Sequence, residues 1–371
     1  MIIFFCIFTT YIFFQIIRND FIKPSIKKIF GYILPFILTI VFLYIAFSGI
    51  NIKKSIQLIY SADVIYILLF LLLFIASHFL RSVRWKFMIN SLKPDAKIVN
   101  LFGATMIGYG VNCIIPRLGE VYRGLFLGKW EGLSRSSMLG TIVVERIIDV
   151  IMLILAVIIS IFVYNGDLFK DVVWLKSTIY VASIISISLI LFIIVFIIWK
   201  KEFSELFIRK ISKYSPKIAD KINYIFHTLL DGFSSIRGTK NWVFTCLLSV
   251  VIILGYSATT YIGMYMFHFD KLHLITFGMA WVISTIGSFG VIIPTPGGTG
   301  SYHAITIFIL VELYQFDLES AAAYAILTHI ISYVVFISSA FFFISLINKL
   351  QKNKGAKSEN FLSVFNLKSG D

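Results

Sequence analysis

NCIIPRLGEVYRG (residues 112–124) and VVERIIDVIML (residues 143–153) place Arg117, Glu120, Arg123, Glu145, Arg146 and Asp149 in or beside apolar runs. A charge at the centre of a membrane helix costs about 2.5–3.5 kcal/mol on insertion scales. Six left unpaired would cost on the order of 15–20 kcal/mol, more than the whole stability of a typical fold. They must be paired, hydrated or near the interface, and charges at such depth mark pathways.

Composition sets the class. The chain has 371 residues, of which 58% are hydrophobic and 14% charged, against roughly 25% charged in a soluble domain. The expectation is an all-α, polytopic helical membrane protein with about eight spans, near residues 29–50, 64–80, 138–164, 178–199, 242–267, 274–293, 301–314 and 321–347. Each is judged against the roughly 20 residues that cross a bilayer, and the 301–314 run is short for a full crossing. Residues 1–24 form an ambiguous hydrophobic segment that lacks the basic start and cleavage site of a signal peptide; if it spans, the count is nine. Residues 25–350 read as one integral-membrane domain, with an amphipathic cytoplasmic connection over 200–240. Residues 351–371 read as a disordered polar tail.

The net charge of +14 lies in loops beside spans. It sets orientation and contact with anionic lipid rather than nucleic-acid binding. Basic stretches at 81–97, at 200–240 and after Ile347 are expected in the cytoplasm, which places the C-terminus there, in a cell inner membrane. The lysine- and isoleucine-rich composition suggests a bacterial source. With 81–97 and 129–135 on one side, the intervening stretch 98–115 must enter and leave on that side. Gly103, Gly108, Gly110 and Pro116 are the expected breakers of this re-entrant element. Cys6, Cys113 and Cys246 show no metal or disulfide spacing, and no metal, cofactor or catalytic residue is expected.

A second irregular segment, SFGVIIPTPGGTGSYH (residues 288–303), carries Pro294 and Pro296, which cannot continue a helix. Gly297, Gly298 and Gly300 follow. An unwound break is expected, with the helix restarting near Ser301 and turning its free N–H groups toward an anion; the competing reading is a kink that serves packing. Interrupted segments in both halves suggest paired gates. Arg117, Glu120 and Arg123, spaced i, i+3, i+6, could form a phosphate clamp on one helix face, or a salt-bridge set that stabilises the turn. Glu145 and Asp149 share a helix face, with Arg146 beside them, and could pair with Arg117 or Arg123. Arg81 and Arg84 with Trp85 sit where a span is expected to end, which suits anchoring as well as phosphate contact. His78 and His329 are expected in the core, whereas His303 beside the break could belong to packing or to a site.

These residues resemble the flippase-like membrane domain of lysylphosphatidylglycerol synthases and its stand-alone relatives. The resemblance rests on Arg81-Ser82-Val83-Arg84-Trp85, Asn112…Pro116-Arg117-x-Gly119-Glu120-x-x-Arg123, Glu145-Arg146-x-x-Asp149 and Pro294-Thr295-Pro296-Gly297-Gly298-Thr299-Gly300, in that order over about 27–349. It implies a lipid translocase that moves a polar-headed, phosphate-bearing phospholipid or polyprenyl-phosphate-linked lipid between leaflets. A membrane enzyme, or an accessory subunit for a synthase or glycosyltransferase in lipid-linked sugar or aminoacyl-phospholipid metabolism, is the alternative. Many relatives carry glutamate where this chain has His303, which would change the charge balance of the cavity. With the last span expected to end near Ile347, no soluble synthase domain is expected after it.

Overall fold

A computed structural model describes residues 26–173, isolated positions between 175 and 188, residues 235 and 236, and residues 238–352 and 358–365. The described chain is all-α. Its longer helices are α1 (Ile26–Phe47), α2 (Ile52–Tyr60), α3 (Val64–Ile89), α4 (Ile98–Ile114), α5 (Leu118–Glu131), α6 (Arg135–Val163), α7 (Thr239–Tyr265), α8 (Phe277–Ile292), α9 (Ser301–Phe308, extended by a π-helical turn over Ile309–Leu313) and α10 (Leu318–Lys352). Side chains cap several starts: Asp63 accepts from the N–H of Ile65, Ser134 from that of Ser137, and Thr276 from that of Met279. Each thereby satisfies a donor that the helix leaves open.

Four of these helices are long and apolar enough to cross a bilayer: α3, α6 from Ser137, α7 and α10. The pair α1 and α2, bent by 84°, makes a fifth if counted as one span. The expected spans at 274–293 and 301–314 are two arms of one hairpin, and α8, at 16 residues, is only about 24 Å long. Most of the 178–199 and 200–240 segments, and residues 1–24, lie outside the described residues. The helix expected to end at Leu80 runs on to Ile89, because its arginines find partners inside the protein.

The 98–131 stretch enters and returns, but its turn lies at Ile115–Arg117 rather than among the glycines. α4 is unbroken through Gly103, Gly108 and Gly110. There the missing side chains let neighbours approach, as small residues do between membrane helices. A Cβ on Gly110 would sit 2.6 Å from that of Ala340 on α10, and one on Gly119 would overlap the carbonyl oxygen of Gly108. At the turn, Arg117 takes a left-handed backbone (φ 66°). Asn112 Oδ1 accepts the Gly119 N–H at 2.8 Å and closes the start of α5. At the open end, Glu131 Oε1 accepts from the N–H of Lys97 at 3.0 Å and from Asn100 Nδ2 at 2.6 Å, so entrance and exit meet.

α8 and α9 form a second hairpin of opposite sense. α10 shows this, because its start lies beside one hairpin's open end and its finish beside the other's. Phe316, just before α10, stacks on Phe269 and meets His273 edge-on with ring centres 4.5 Å apart, near the start of α8. At the far end Gln351 Nε2 donates to the carbonyl of Trp130, the penultimate residue of α5, at 3.1 Å. Midway, the Tyr333 hydroxyl reaches the carbonyl of Cys113 at 3.2 Å and that of Pro296 at 2.6 Å, touching both tips. Arg117 Nη2 adds a bond to the Ile292 carbonyl at 3.0 Å. The core divides accordingly, with one buried cluster around the first hairpin and another around the second.

Residues 358–365 pack on the first hairpin. Val364 is fully buried, Phe361 packs edge-on against Tyr122, and Glu359 pairs with Lys129 at 3.4 Å. Phe361 also meets the Phe126 ring edge-on, so this stretch lies against α5.

Gly119→Ala should lower stability by about 1–3 kcal/mol, since its Cβ meets backbone that cannot turn aside. Gly287→Ala, whose Cβ meets only Thr306 Oγ1 at 3.6 Å, should be neutral or stabilising by about 0.5–1 kcal/mol. Thermal unfolding of the detergent-solubilised protein distinguishes the two.

Candidate functional site

α3, α5 and α6 converge on one buried network of charge. Arg81 Nη2 reaches Glu145 Oε1 at 2.7 Å and Asp149 Oδ2 at 2.8 Å, and Arg84 Nη2 reaches the same two carboxylates at 2.9 and 2.6 Å. Arg123 on α5 bonds the other oxygen of Glu145, and its guanidinium lies 3.8 Å from the centre of the Trp85 ring, a cation–π stack. Trp85 is held in turn by Thr141 Oγ1, which accepts from Nε1 at 3.0 Å. Arg146 spans the rim, 3.0 Å from Asp149 and 3.5 Å from Glu120. From α7, Ser249 accepts from Arg84 at 2.9 Å and Tyr256 from Arg81 at 3.4 Å.

Four guanidinium groups thus face three carboxylates, leaving one positive charge in excess. The Glu145 side chain is 0% exposed and that of Arg84 1%, whereas Arg146 is 36% exposed, with Glu120 and Asp149 both at 23%. The network is sealed on one side and open at this rim. Each of the four arginines also buries an Nε–H that has no hydrogen-bond partner, although buried donors are nearly always paired. By helix rise, Arg123 lies about 12 Å in from the end of α5, and Glu145 about 15 Å in from the start of α6.

Several expectations change. Arg81 and Arg84 are not anchors at a span end but the centre of the network. The clamp of Arg117, Glu120 and Arg123 on one helix face does not form. Arg117 precedes α5 and reaches toward the second hairpin, Glu120 faces Arg146, and Arg123 faces Glu145. Asn112 closes the first turn. Ser249, Tyr256 and Tyr333 were missed. Tyr333 did carry a signal, since it sits four residues after His329 on one face of an apolar helix.

The second hairpin turn is satisfied by the chain itself. Ser301 Oγ donates to the Gly290 carbonyl at 2.6 Å and lies 2.8 Å from Thr295 Oγ1. Gly297 packs on the Tyr333 ring, and Gly300 (φ +83°) packs on the backbone of α1 at Thr39 and Leu43. Pro294 and Pro296 shape the turn, and Gly298 is buried within it. The Gly300 N–H donates to His303 Nδ1 at 3.3 Å. Anion binding by the start of α9 therefore gains no support. His303 fills at the third helical position the role that glutamate or glutamine takes in a capping box, and because an acceptor Nδ1 carries no proton it does so without a charge. His329 Nε2 donates to the Gly297 carbonyl at 3.2 Å, and His78 packs among Phe74, Tyr109 and Phe336.

A family model described as the lysylphosphatidylglycerol synthase TM region matches residues 32–339, covering every helix of both hairpins and the network. The chain belongs to this family. Among curated relatives of this lysylphosphatidylglycerol synthase TM region protein, it is 27% identical to UPF0104 membrane protein MJ1595 of Methanocaldococcus jannaschii, over 81% of this chain and 90% of that protein. It is 24% identical to UPF0104 membrane protein PH1989 of Pyrococcus horikoshii, over 58% of this chain and 68% of that protein. It is 28% identical to UPF0104 membrane protein MJ1078 of M. jannaschii, over 67% of this chain and 99% of that protein. These relatives are archaeal, and they lend no support to the bacterial source suggested by composition. No solved structure matches the chain.

Glu145→Gln should cost about 3–5 kcal/mol, because it leaves buried guanidinium groups without their shared partner. Asp149→Asn, nearer the rim, should cost less. His303→Ala should lose about 1 kcal/mol with the cap, and His303→Gln, which keeps an acceptor, should stay close to wild type. Each is read as a shift in thermal unfolding.

Proposed function

We propose that this protein is a lipid translocase, not an enzyme, and that it carries a phosphate-bearing headgroup between leaflets while the acyl or polyprenyl tails stay in the bilayer. The observation that carries this reading is the buried network with one positive charge in excess, open at Arg146 and set beside two hairpins of opposite sense whose tips meet at Tyr333. Guanidinium forks suit phosphate oxygens. Opposed broken elements with a site between them are a transporter arrangement. The matched family's description names lysylphosphatidylglycerol synthase, an enzyme of polar-headed phospholipids, which is consistent with a phospholipid cargo. A synthase or glycosyltransferase that makes the cargo is the natural partner.

Orientation follows from charge. Lys86, Lys93, Lys97, Lys129, Arg135, Lys240, Lys349 and Lys352 lie toward the open end of the first hairpin, against the smaller set of Lys53, Lys54, Lys170 and Lys271 toward that of the second. The positive-inside rule then puts the first hairpin and the end of α10 in the cytoplasm of a cell membrane.

The test is headgroup protection of fluorescent phospholipids and polyprenyl phosphates in liposomes, with wild type beside Arg146→Gln and Glu120→Gln. Wild type should abolish protection, and the rim variants, still folded, should slow this by about tenfold, the equivalent of about 1.4 kcal/mol. No movement of any lipid by the wild type under either gradient overturns the reading and favours a membrane enzyme or accessory subunit.

A further inference from the structure

Residues 358–365 cross three helices at the open end of the first hairpin. Asn348 on α10 holds Glu359 by its main chain, with Nδ2 donating to the carbonyl at 2.6 Å and Oδ1 accepting the N–H at 2.9 Å. On α5, Lys129 pairs with the Glu359 carboxylate at 3.4 Å, and Phe361 lies edge-on against Tyr122 and Phe126. Phe341 of α10 meets the same ring, so Phe361 sits between the two helices. Arg135, the first residue of α6, donates to the carbonyl of the fully buried Val364 at 3.5 Å. We propose that this segment is a detachable strap, which holds α5 against α6 and α10 and restrains lipid movement until it lifts.

The segment keeps its shape by its own bonds. Asn360 Oδ1 accepts from the N–H groups of Leu362 and Ser363 at 2.9 and 2.7 Å. Ser363 Oγ accepts from the N–H of Asn360 at 2.7 Å and donates to Glu359 Oε2 at 2.8 Å. A turn formed before it docks loses little conformational freedom on docking, and it can leave as a unit. One face is bound and the other open to the surroundings: Val364 is fully buried, whereas Leu362 is 82% exposed. An ion pair at the rim of such a contact and a ring stack each contribute little alone, which suits a contact that must open.

The position links the strap to the charged network. Arg123 and Glu120 turn one face of α5 to Glu145 and Arg146. Tyr122 and Phe126, one turn apart, lie about a third of a turn round the same helix. The strap therefore grips the flank of the helix whose front forms the rim. Rotation or withdrawal of α5, the motion that would open the network to a headgroup, requires the Phe361 and Glu359 contacts to break. The restraint on lipid movement rests on the translocase reading, and the strap itself does not.

The test uses the full chain in liposomes. It reads hydrogen exchange over residues 118–131 and 301–313, together with headgroup protection of a fluorescent phosphatidylglycerol. Glu359→Gln should raise exchange in α5 about threefold and Phe361→Ser about tenfold or more. The second hairpin should be unchanged, and both variants should speed the loss of protection. Glu359→Gln leaves Phe361 and Val364 in place, so it decides if Phe361→Ser fails to fold. A cysteine pair, Asn348→Cys with Glu359→Cys in a chain whose native cysteines are alanine, gives the opposite arm. Oxidised, it should move lipid about tenfold more slowly than reduced. The proposal is overturned by unchanged exchange in α5, by an equal rise in both hairpins, by no cross-link on oxidation, or by lipid movement that release does not speed and cross-linking does not slow. If no form moves lipid, the translocase reading fails, and exchange in α5 alone decides whether the strap stands.

Discussion

The pairing of Arg81 and Arg84 on α3 with Glu145 and Asp149 on α6 is the interaction on which the membrane core depends. A guanidinium group stays charged at any depth, so α3 can continue past Leu80 only if carboxylates meet it. Two acids one helical turn apart supply them, and each is shared between both arginines. The sharing fixes the rotation of α3 against α6 and brings Trp85 under Arg123, which ties the first hairpin to the same point. Removing one carboxylate would strand several cations at once, and this makes the network a fixed framework rather than a set of separate bridges. Arg146, on the open side, is the member with freedom to exchange partners.

The hairpins depend on a different constraint. A backbone that turns at membrane depth must find hydrogen bonds within the protein. In the first turn Asn112 supplies one; in the second, His303, Ser301, His329 and Tyr333 do. The glycines let α4 lie against α5 and α10 closely enough for those bonds to reach.

Much of this was legible in the sequence, and its gaps have physical causes. Apolar runs located α1, α6, α7 and α10, and the prolines and glycines of 294–300 marked the second turn. The failure to place Arg81 and Arg84 inside a helix arose because their partners lie more than sixty residues away, while local reading treats a charge as the end of a span. The glycines of α4 read as breakers because a glycine that bends a helix and one that admits a neighbour look alike in one sequence. Glu145 and Asp149 were recognisable as a pair from their spacing, but which arginines they face is a property of the packing.

Tyr333 carries one hydroxyl proton, and two main-chain carbonyls from hairpins of opposite sense lie within its reach, with Thr299 Oγ1 also 2.7 Å away. A phenol can donate to only one carbonyl at a time; the other is left with a weaker partner. The joint between the two hairpins is therefore a competition for a single hydrogen. The two turns are thus held together through one shared donor, and whichever carbonyl does not receive it depends on the rest of its own turn for a partner.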